Sequence, residues 1–218
     1  EYPKATIKVA DNLRRGRLTN LATDAIDQDD GAKEMIDFRH DICLEDLTKP
    51  DVSQRVMRHA EVVFHLADTV ADSGLSAFDD ALLINLEVIR AAKENGVKDF
   101  VYASTACTSP ERNVTRISSE KSTYGGFSES PSHGCSKFMG EVGLGLAREE
   151  SHMNVGIVRF SQIYGPRSPY VGGDSQALPS LIHQAIRLYT GGDARGLVVQ
   201  GSGRQSRDFV YIDDAIDA

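Results

Sequence analysis

Short apolar runs alternate with longer stretches of helical periodicity along this chain. The runs are Thr6–Ala10, Met35–His40, Glu61–Leu66, Phe100–Ser104 and Val155–Phe160. Each is brief, rich in β-formers and mostly apolar, the pattern of parallel strands whose two faces are both covered by helices. Helical segments lie between them. Asp51–His59 opens on Pro50–Asp51, an amino-terminal signal, and Ala77–Asn95 closes on Asn95–Gly96, a carboxyl-terminal one. Cys135–Glu150 repeats Phe138, Val142 and Leu146 at helical spacing, and Leu178–Tyr189 is amphipathic. The alternation predicts βαβ units, hence an α/β fold with a doubly wound parallel sheet. Two segments break the rhythm. Ser109–Ser132 is rich in Ser, Gly, Pro and charge without periodicity, and loops of that length are usually functional. Gly165–Ala177 is rich in Pro and Gly and joins the last clear strand to a new helix. A change of lobe is expected there, with residues 1–160 as the main domain and 161–218 as the start of a smaller lobe.

Composition narrows the function classes. A chain of 218 residues makes one domain, or one and part of a second. Its 24 basic and 32 acidic residues leave a net charge of −8. An acidic surface repels phosphates and anionic lipid, so neither nucleic acid nor membrane is an expected partner. The longest apolar run, around Ala60–Ala67, is broken by Glu61 and His65 and falls far short of the roughly 20 residues a span needs. No signal segment opens the chain. Cys43, Cys107 and Cys135 are an odd count without metal-type spacing, so no metal site is expected and a reducing, cytoplasmic location is. The chain starts at Glu1, enters a strand almost at once and stops at Ala218 within a helix that opens near Asp213. Both ends read as cut, which predicts a fragment of a longer protein.

Open parallel sheets bind ligands at the carboxyl ends of their strands. The candidates there are Asp11, Asp41, His65–Asp68, Ser104–Cys107 and Gln162–Arg167. Asp11-Asn12 after the first run reads equally as a ribose-binding carboxylate or as a turn cap. Arg14, Arg15 and Arg17 favour a 2′-phosphate or are solvated surface charge. Asp41-Ile42 is placed to seat an adenine edge or, again, to cap a turn.

Four stretches then carry a resemblance. They are His65-Leu66-Ala67, Val101-Tyr102-Ala103-Ser104-Thr105-Ala106-Cys107, Arg159-Phe160-Ser161-Gln162-Ile163-Tyr164-Gly165-Pro166 and Gly201-Ser202-Gly203-Arg204-Gln205-Ser206-Arg207-Asp208-Phe209. In this order and spacing the chain resembles the extended short-chain dehydrogenase/reductase family, specifically its NAD-dependent nucleotide-sugar epimerases and dehydratases. The resemblance implies a Rossmann-type domain over residues 1–160 that binds NAD, and a substrate lobe from 161 whose last segment returns to that domain. Asp11 and Asn12 would hold the adenosine ribose, Asp41 and Ile42 the adenine pocket. Leu66, Ala67 and Ser104 would border the nicotinamide half, with Lys137 on its ribose. Thr105 would hydrogen-bond the reacting sugar oxygen, Gln162 would touch the sugar, and Arg207 would clamp the diphosphate of a nucleotide-diphosphate sugar. Ala77–Asn95 and Cys135–Glu150 would pair in a homodimer. Within the family, Ala103–Cys107 and Gly172-Gly173 are most similar to the GDP-mannose 3,5-epimerase group, where a cysteine at the position of Cys107 is an acid/base. The other reading of Cys107 is a small buried hydrophobe.

The chain also departs from the family pattern. No Gly-x-x-Gly-x-x-Gly precedes Asp11, so the first strand and its phosphate-binding turn are expected upstream. His133-Gly134-Cys135-Ser136-Lys137 stands where the family has Tyr-x-x-x-Lys, its four-residue spacing putting both side chains on one helix face. An imidazole starts near pKa 6.5 against about 10 for a phenol, and Lys137 alone would lower it further. Gln162 replaces an asparagine, Gln176 a lysine, and Ala81 an asparagine one turn before Asn85. Two readings follow: an epimerase or dehydratase whose proton acceptor is His133, or a catalytically impaired member that binds NAD and sugar nucleotides.

Overall fold

Strand and helix alternate in the computed structural model as the apolar pattern requires. The structure describes residues 5–20, 42–69, 75–108, 131–172, 175–191 and 196–218. Its strands are β1 Val9–Ala10, β2 Ile42–Cys43, β3 Val62–His65, β4 Asp99–Thr105, β5 Asn154–Phe160, β6 Gln162–Tyr164 and β7 Phe209–Tyr211. The helices are α1 Pro50–Met57, α2 Leu75–Glu94, α3 Pro131–Glu150, α4 Ala177–Tyr189 and α5 Ile212–Asp217. The expected strand Met35–His40, Asp41 and residues 109–130 of the expected loop lie outside the described residues. So do residues 173–174 of the second loop. The strands β6 and β7 have no counterpart in the periodicity, because three residues are too few to establish an alternation.

All strand pairs are parallel. At the centre β4 lies between β3 and β5, in register from Val62↔Asp99 to His65↔Tyr102 on one side and from Asp99↔Asn154 to Thr105↔Phe160 on the other. A second ladder joins β1 to β2, and a third joins β6 to β7. Side chains alternate across β4 as a pleat requires. Phe100, Tyr102 and Ser104 are buried, whereas Val101, Ala103 and Thr105 on the opposite face are only half-buried. The buried face packs on Ile84, Val88 and Ile89 of α2, Leu144 and Ala147 of α3, and Val52 and Met57 of α1. Ala10 and Cys43 pack against the same cluster, so β1–β2 shares this core without a ladder to β3.

The expectation that helices cover both sheet faces is met on one. On the other, Val62 is 50% and Phe64 66% exposed. An apolar run shows that a strand tolerates burial on both faces, but not what arrives to cover them. Among the described residues no helix is long and apolar enough to cross a membrane.

Helix α3 lies close to β4 because Gly140 has no side chain there. A β-carbon on Gly140 would overlap the hydroxyl of the fully buried Tyr102, which donates a 3.4 Å hydrogen bond to the Lys137 carbonyl. Gly140→Ala is therefore expected to destabilise the fold by about 1–3 kcal/mol, the range for overpacking. A urea midpoint equal to wild type would contradict this close approach.

Candidate active site

Beyond β3 the chain turns through Leu66, Ala67 and Asp68. The Thr69 N–H donates to Asp68 (Oδ1, 2.7 Å), and the Thr69 hydroxyl donates to the Ala77 carbonyl at 2.8 Å, tying this turn to α2. Helix α3 opens opposite. Its first turns place His133 and Lys137 on one face, as four-residue spacing requires. His133 Nδ1 lies 3.1 Å and Lys137 Nζ 3.2 Å from the same Asp68 oxygen, Oδ2. The three side chains are 18%, 6% and 11% exposed for His133, Lys137 and Asp68. Neither contact is aligned as a hydrogen bond, and among the described residues no other group bonds Asp68 Oδ2 or His133 Nδ1. Burial opposes ionisation of Asp68, but the facing His133 imidazole and the Lys137 charge outweigh it and bring its pKa down to about 2. The Lys137 ammonium also lies 5.0 Å from the Tyr102 ring centre. Burial, with the Asp68 charge behind it, pushes the Tyr102 hydroxyl well above its ordinary pKa.

Beneath this cluster, His65 is buried at the end of β3 and donates from Nε2 to Asn85 Oδ1 at 2.9 Å. Asn85 Nδ2 donates to the Ser136 carbonyl at 3.0 Å, one residue before Lys137. Burial, helped by the Lys137 charge, lowers the His65 pKa to about 4, so it is neutral at physiological pH. A small cleft beside the cluster is lined by Asp68, Thr69, Ala77, Ala81, Ser132 and His133.

Strand β4 delivers Thr105 into a 3-10 turn, Ala106–Thr108, which packs against α3. The Cys107 N–H donates to Thr105 Oγ1 at 3.2 Å, and the Thr108 hydroxyl donates to the Thr105 carbonyl at 2.9 Å. Cys107 is half-buried. Ser104 faces the core instead, its hydroxyl donating to Glu141 Oε1 at 2.5 Å. Glu141 also takes a forked pair from Arg159, at 2.9 and 2.6 Å. That fork raises the Arg159 pKa through its hydrogen bonds.

The other sequence-derived residues fall at two further places. At the carboxyl end of β1, Asp11 Oδ1 accepts the Leu13 N–H at 2.6 Å and Asn12 Oδ1 accepts the Arg14 N–H at 3.0 Å. The turn-cap reading of Asp11 is thus realised, and it holds Leu13 at φ +55°, a left-handed conformation. Asp11, Val9, Leu13, Ile42 and Leu44 line one open cleft. Arg14 pairs with Asp80 at 3.6 Å. Leu66 is exposed and Ala67 half-buried at the end of β3. On the third ladder Gln162 pairs in register with Phe209, and its Oε1 is buried without a hydrogen-bond partner. Arg207 lies just before β7 and donates to the Ser206 carbonyl at 3.1 Å. Among the described residues no group of His, Cys, Asp and Glu could hold a metal ion.

Sequence reasoning placed Asp68 among the strand-end candidates without a role, and assigned none to Glu141 or Asn85. The available signal for Asn85 was a lone amide inside the apolar stretch Ala81–Ala92.

The family model for the NAD dependent epimerase/dehydratase family matches residues 7–218. GDP-mannose 3,5-epimerase 1 from Oryza sativa subsp. indica is 28% identical over 188 residues, covering 83% of this chain and 48% of that protein. UDP-N-acetyl-alpha-D-glucosaminuronate decarboxylase from Bacillus cytotoxicus is 30% identical over 181 residues, covering 79% of this chain and 52% of that one. The chain thus spans about half the length of these relatives. Among solved structures, UDP-glucose 4-epimerase from Thermotoga maritima with UDP-glucose superposes at a TM-score of 0.77. That match is 22% identical and covers 98% of this chain and 64% of the other, a likeness of fold. From residue 7 to its last residue, the chain belongs to the NAD dependent epimerase/dehydratase family.

Proposed function

We propose that this chain carries the reacting end of an NAD-dependent epimerase or dehydratase that transiently oxidises a hydroxyl of a nucleotide-diphosphate sugar. The observation that carries the reading is the grouping of His133, Lys137 and Asp68 on elements packed around the Thr105–Cys107 turn. They gather at the carboxyl end of β4, where an open parallel sheet takes its ligand. The cleft of Asp11, Val9, Ile42 and Leu44 suits an adenosine, with a carboxylate for ribose hydroxyls between apolar walls. Bound NAD would supply a nicotinamide that accepts and returns a hydride. His133 would accept the hydroxyl proton of the sugar carbinol as that carbon is oxidised to a ketone. Thr105 would hydrogen-bond the same oxygen, and Lys137 would hold the nicotinamide ribose beside Leu66 and Ala67, while Ser104, spent on Glu141, takes no part. Cys107 would act as a second acid/base. Gln162, with its orphaned Oε1, contacts the sugar, and Arg207 the diphosphate.

Residues 1–160 then form the cofactor domain and 161–218 the start of the substrate lobe. Among the described residues β1 and β3 each keep an edge without a strand, though they share a core. A further parallel strand between them, carrying the glycine-rich turn, would join the two ladders and bring a helix amino terminus to the pyrophosphate. Three free cysteines support a reducing, cytoplasmic location.

The test is a panel of GDP- and UDP-sugars offered to the NAD-loaded protein in deuterated water. Reduced-nicotinamide absorbance, or deuterium entering a sugar carbon, is expected with at least one. Tight binding of the panel with neither signal would make the protein a non-catalytic binder.

Pairing of two copies is part of this proposal. Leu83 and Leu86 on α2, and Met139, Val142 and Leu146 on α3, present exposed apolar side chains. Buried between two copies they would form a four-helix interface. Leu146→Asp is expected to convert a dimer to a monomer in sedimentation, and a monomeric wild type would end the idea.

A further inference from the structure

The family resemblance gives no part to Asp68, yet its carboxylate is the group that faces His133 Nδ1 within the described structure. We propose that Asp68 is the positioning residue that lets His133 serve as proton acceptor, by accepting the Nδ1–H and so leaving Nε2 unprotonated toward the substrate. This rests on the function proposed above.

The geometry carries the argument. Asp68 Oδ2 lies 3.1 Å from His133 Nδ1, both atoms are buried, and among the described residues neither has another hydrogen-bond partner. A buried donor or acceptor left unpaired costs roughly 1–3 kcal/mol, so a slight ring rotation that aligns the two is strongly favoured. A carboxylate only accepts, so the shared proton sits on Nδ1 and the lone pair on Nε2. Free imidazole prefers the opposite tautomer, with its proton on the nitrogen corresponding to Nε2; without Asp68 that nitrogen could not take a proton.

The same oxygen resolves the difficulty that the sequence posed. Lys137, one turn along α3, would by itself oppose a charged imidazole. Its ammonium lies 3.2 Å from Asp68 Oδ2, so the carboxylate offsets that charge beside the imidazole. The groups facing the pair are Asp68 from the β3–α2 turn, Lys137 on its own helix, neutral His65 beneath, and Cys107 on the turn packed against α3. Among these the carboxylate of Asp68 is the negative charge. When the sugar hydroxyl proton arrives at Nε2, the imidazolium is held between that carboxylate and the substrate oxygen, as in other carboxylate–imidazole pairs. The pair thus replaces a phenol that needs only a neighbouring lysine.

Long-range proton–nitrogen correlation spectra of the uniformly labelled full chain test this without any substrate. His133→Gln identifies the relevant imidazole. At mildly alkaline pH, wild type is expected to show His133 protonated on Nδ1 with Nε2 bare. Asp68→Ala is expected to move the proton to Nε2, and Asp68→Asn, which keeps an acceptor but not the charge, to leave it on Nδ1. A wild-type Nε2–H form overturns the proposal, even if Asp68→Ala does not fold. An unchanged tautomer in folded Asp68→Ala overturns it too. With an active sugar nucleotide, kcat is expected to fall roughly 10²–10⁴-fold in Asp68→Ala, the scale of general base catalysis, with KM unchanged and partial recovery in Asp68→Asn. Should the spectra agree while wild type turns over no sugar, the positioning stands and the enzymatic reading fails.

Discussion

Replacing Lys137 with methionine is expected to lower the free energy of unfolding by about 3–5 kcal/mol at neutral pH, the scale for breaking a buried ion pair. Methionine keeps most of the side-chain length and removes only the ammonium. Asp68 would remain buried and charged without the ammonium that faces it. The pH dependence identifies the cause. The Asp68 carboxyl is held at about 2 in the folded protein, against an ordinary 3.8. A depressed acid contributes stability that is fully present above the unfolded value and is lost as pH falls through the folded one. In Lys137→Met one of the groups that oppose the effect of burial is gone, so the folded pKa rises and that contribution shrinks. The wild-type advantage should therefore be greatest at neutral pH and shrink between pH 3.8 and about 2. Urea denaturation across that window measures it. Equal stability at neutral pH would mean that Lys137 and Asp68 are not paired in solution.

Asn85→Leu is the second large effect, with an expected loss of about 1–3 kcal/mol. The side chains are similar in size, so little cavity is created. What disappears is a two-sided bridge: His65 Nε2 is left buried without its partner, whereas the Ser136 carbonyl keeps the N–H of its own helix. One such unpaired group costs roughly 1–3 kcal/mol. His65 adds a pH signature distinct from that of Asp68. Its folded pKa is lowered from 6.5 to about 4, chiefly by burial. As pH falls, the unfolded chain takes up this proton first, so wild-type stability should decline between 6.5 and about 4. At roughly 1.4 kcal/mol per unit the decline totals about 3 kcal/mol. His65→Gln should remove it, and a slope that persists in that variant would place its origin elsewhere. Because Asn85 bonds the backbone next to Lys137, its loss should also loosen the first turns of α3. Faster amide exchange there is the expected sign.

Taken alone, the chain's order of residues was enough to reveal the α/β class, the parallel strands β3, β4 and β5, and helices α1 to α4. Apolar alternation and helical periodicity are local properties, and parallel strands buried among helices are dense in them. The same locality put Thr105, Cys107, His133 and Lys137 on the list of reacting residues, because their motifs are contiguous. Which groups meet across the fold was not legible. Asp68 and His133 are far apart in the chain, and nothing beside Asp68 distinguishes a shared counter-ion from a turn residue. Ser104 and Thr105 are neighbours in one motif, but the pleat sends Ser104 into the core against Glu141 and Arg159 and Thr105 to the opposite face. Asp11 is open between two roles in the sequence, and the structure adds that its Oδ1 caps the turn at Leu13. Sequence by itself determined the longer elements and nominated candidate reacting residues, since those depend on neighbours along the chain. Only the tertiary structure decided that one buried carboxylate oxygen faces both His133 and Lys137, since that depends on where β3 ends against the first turns of α3.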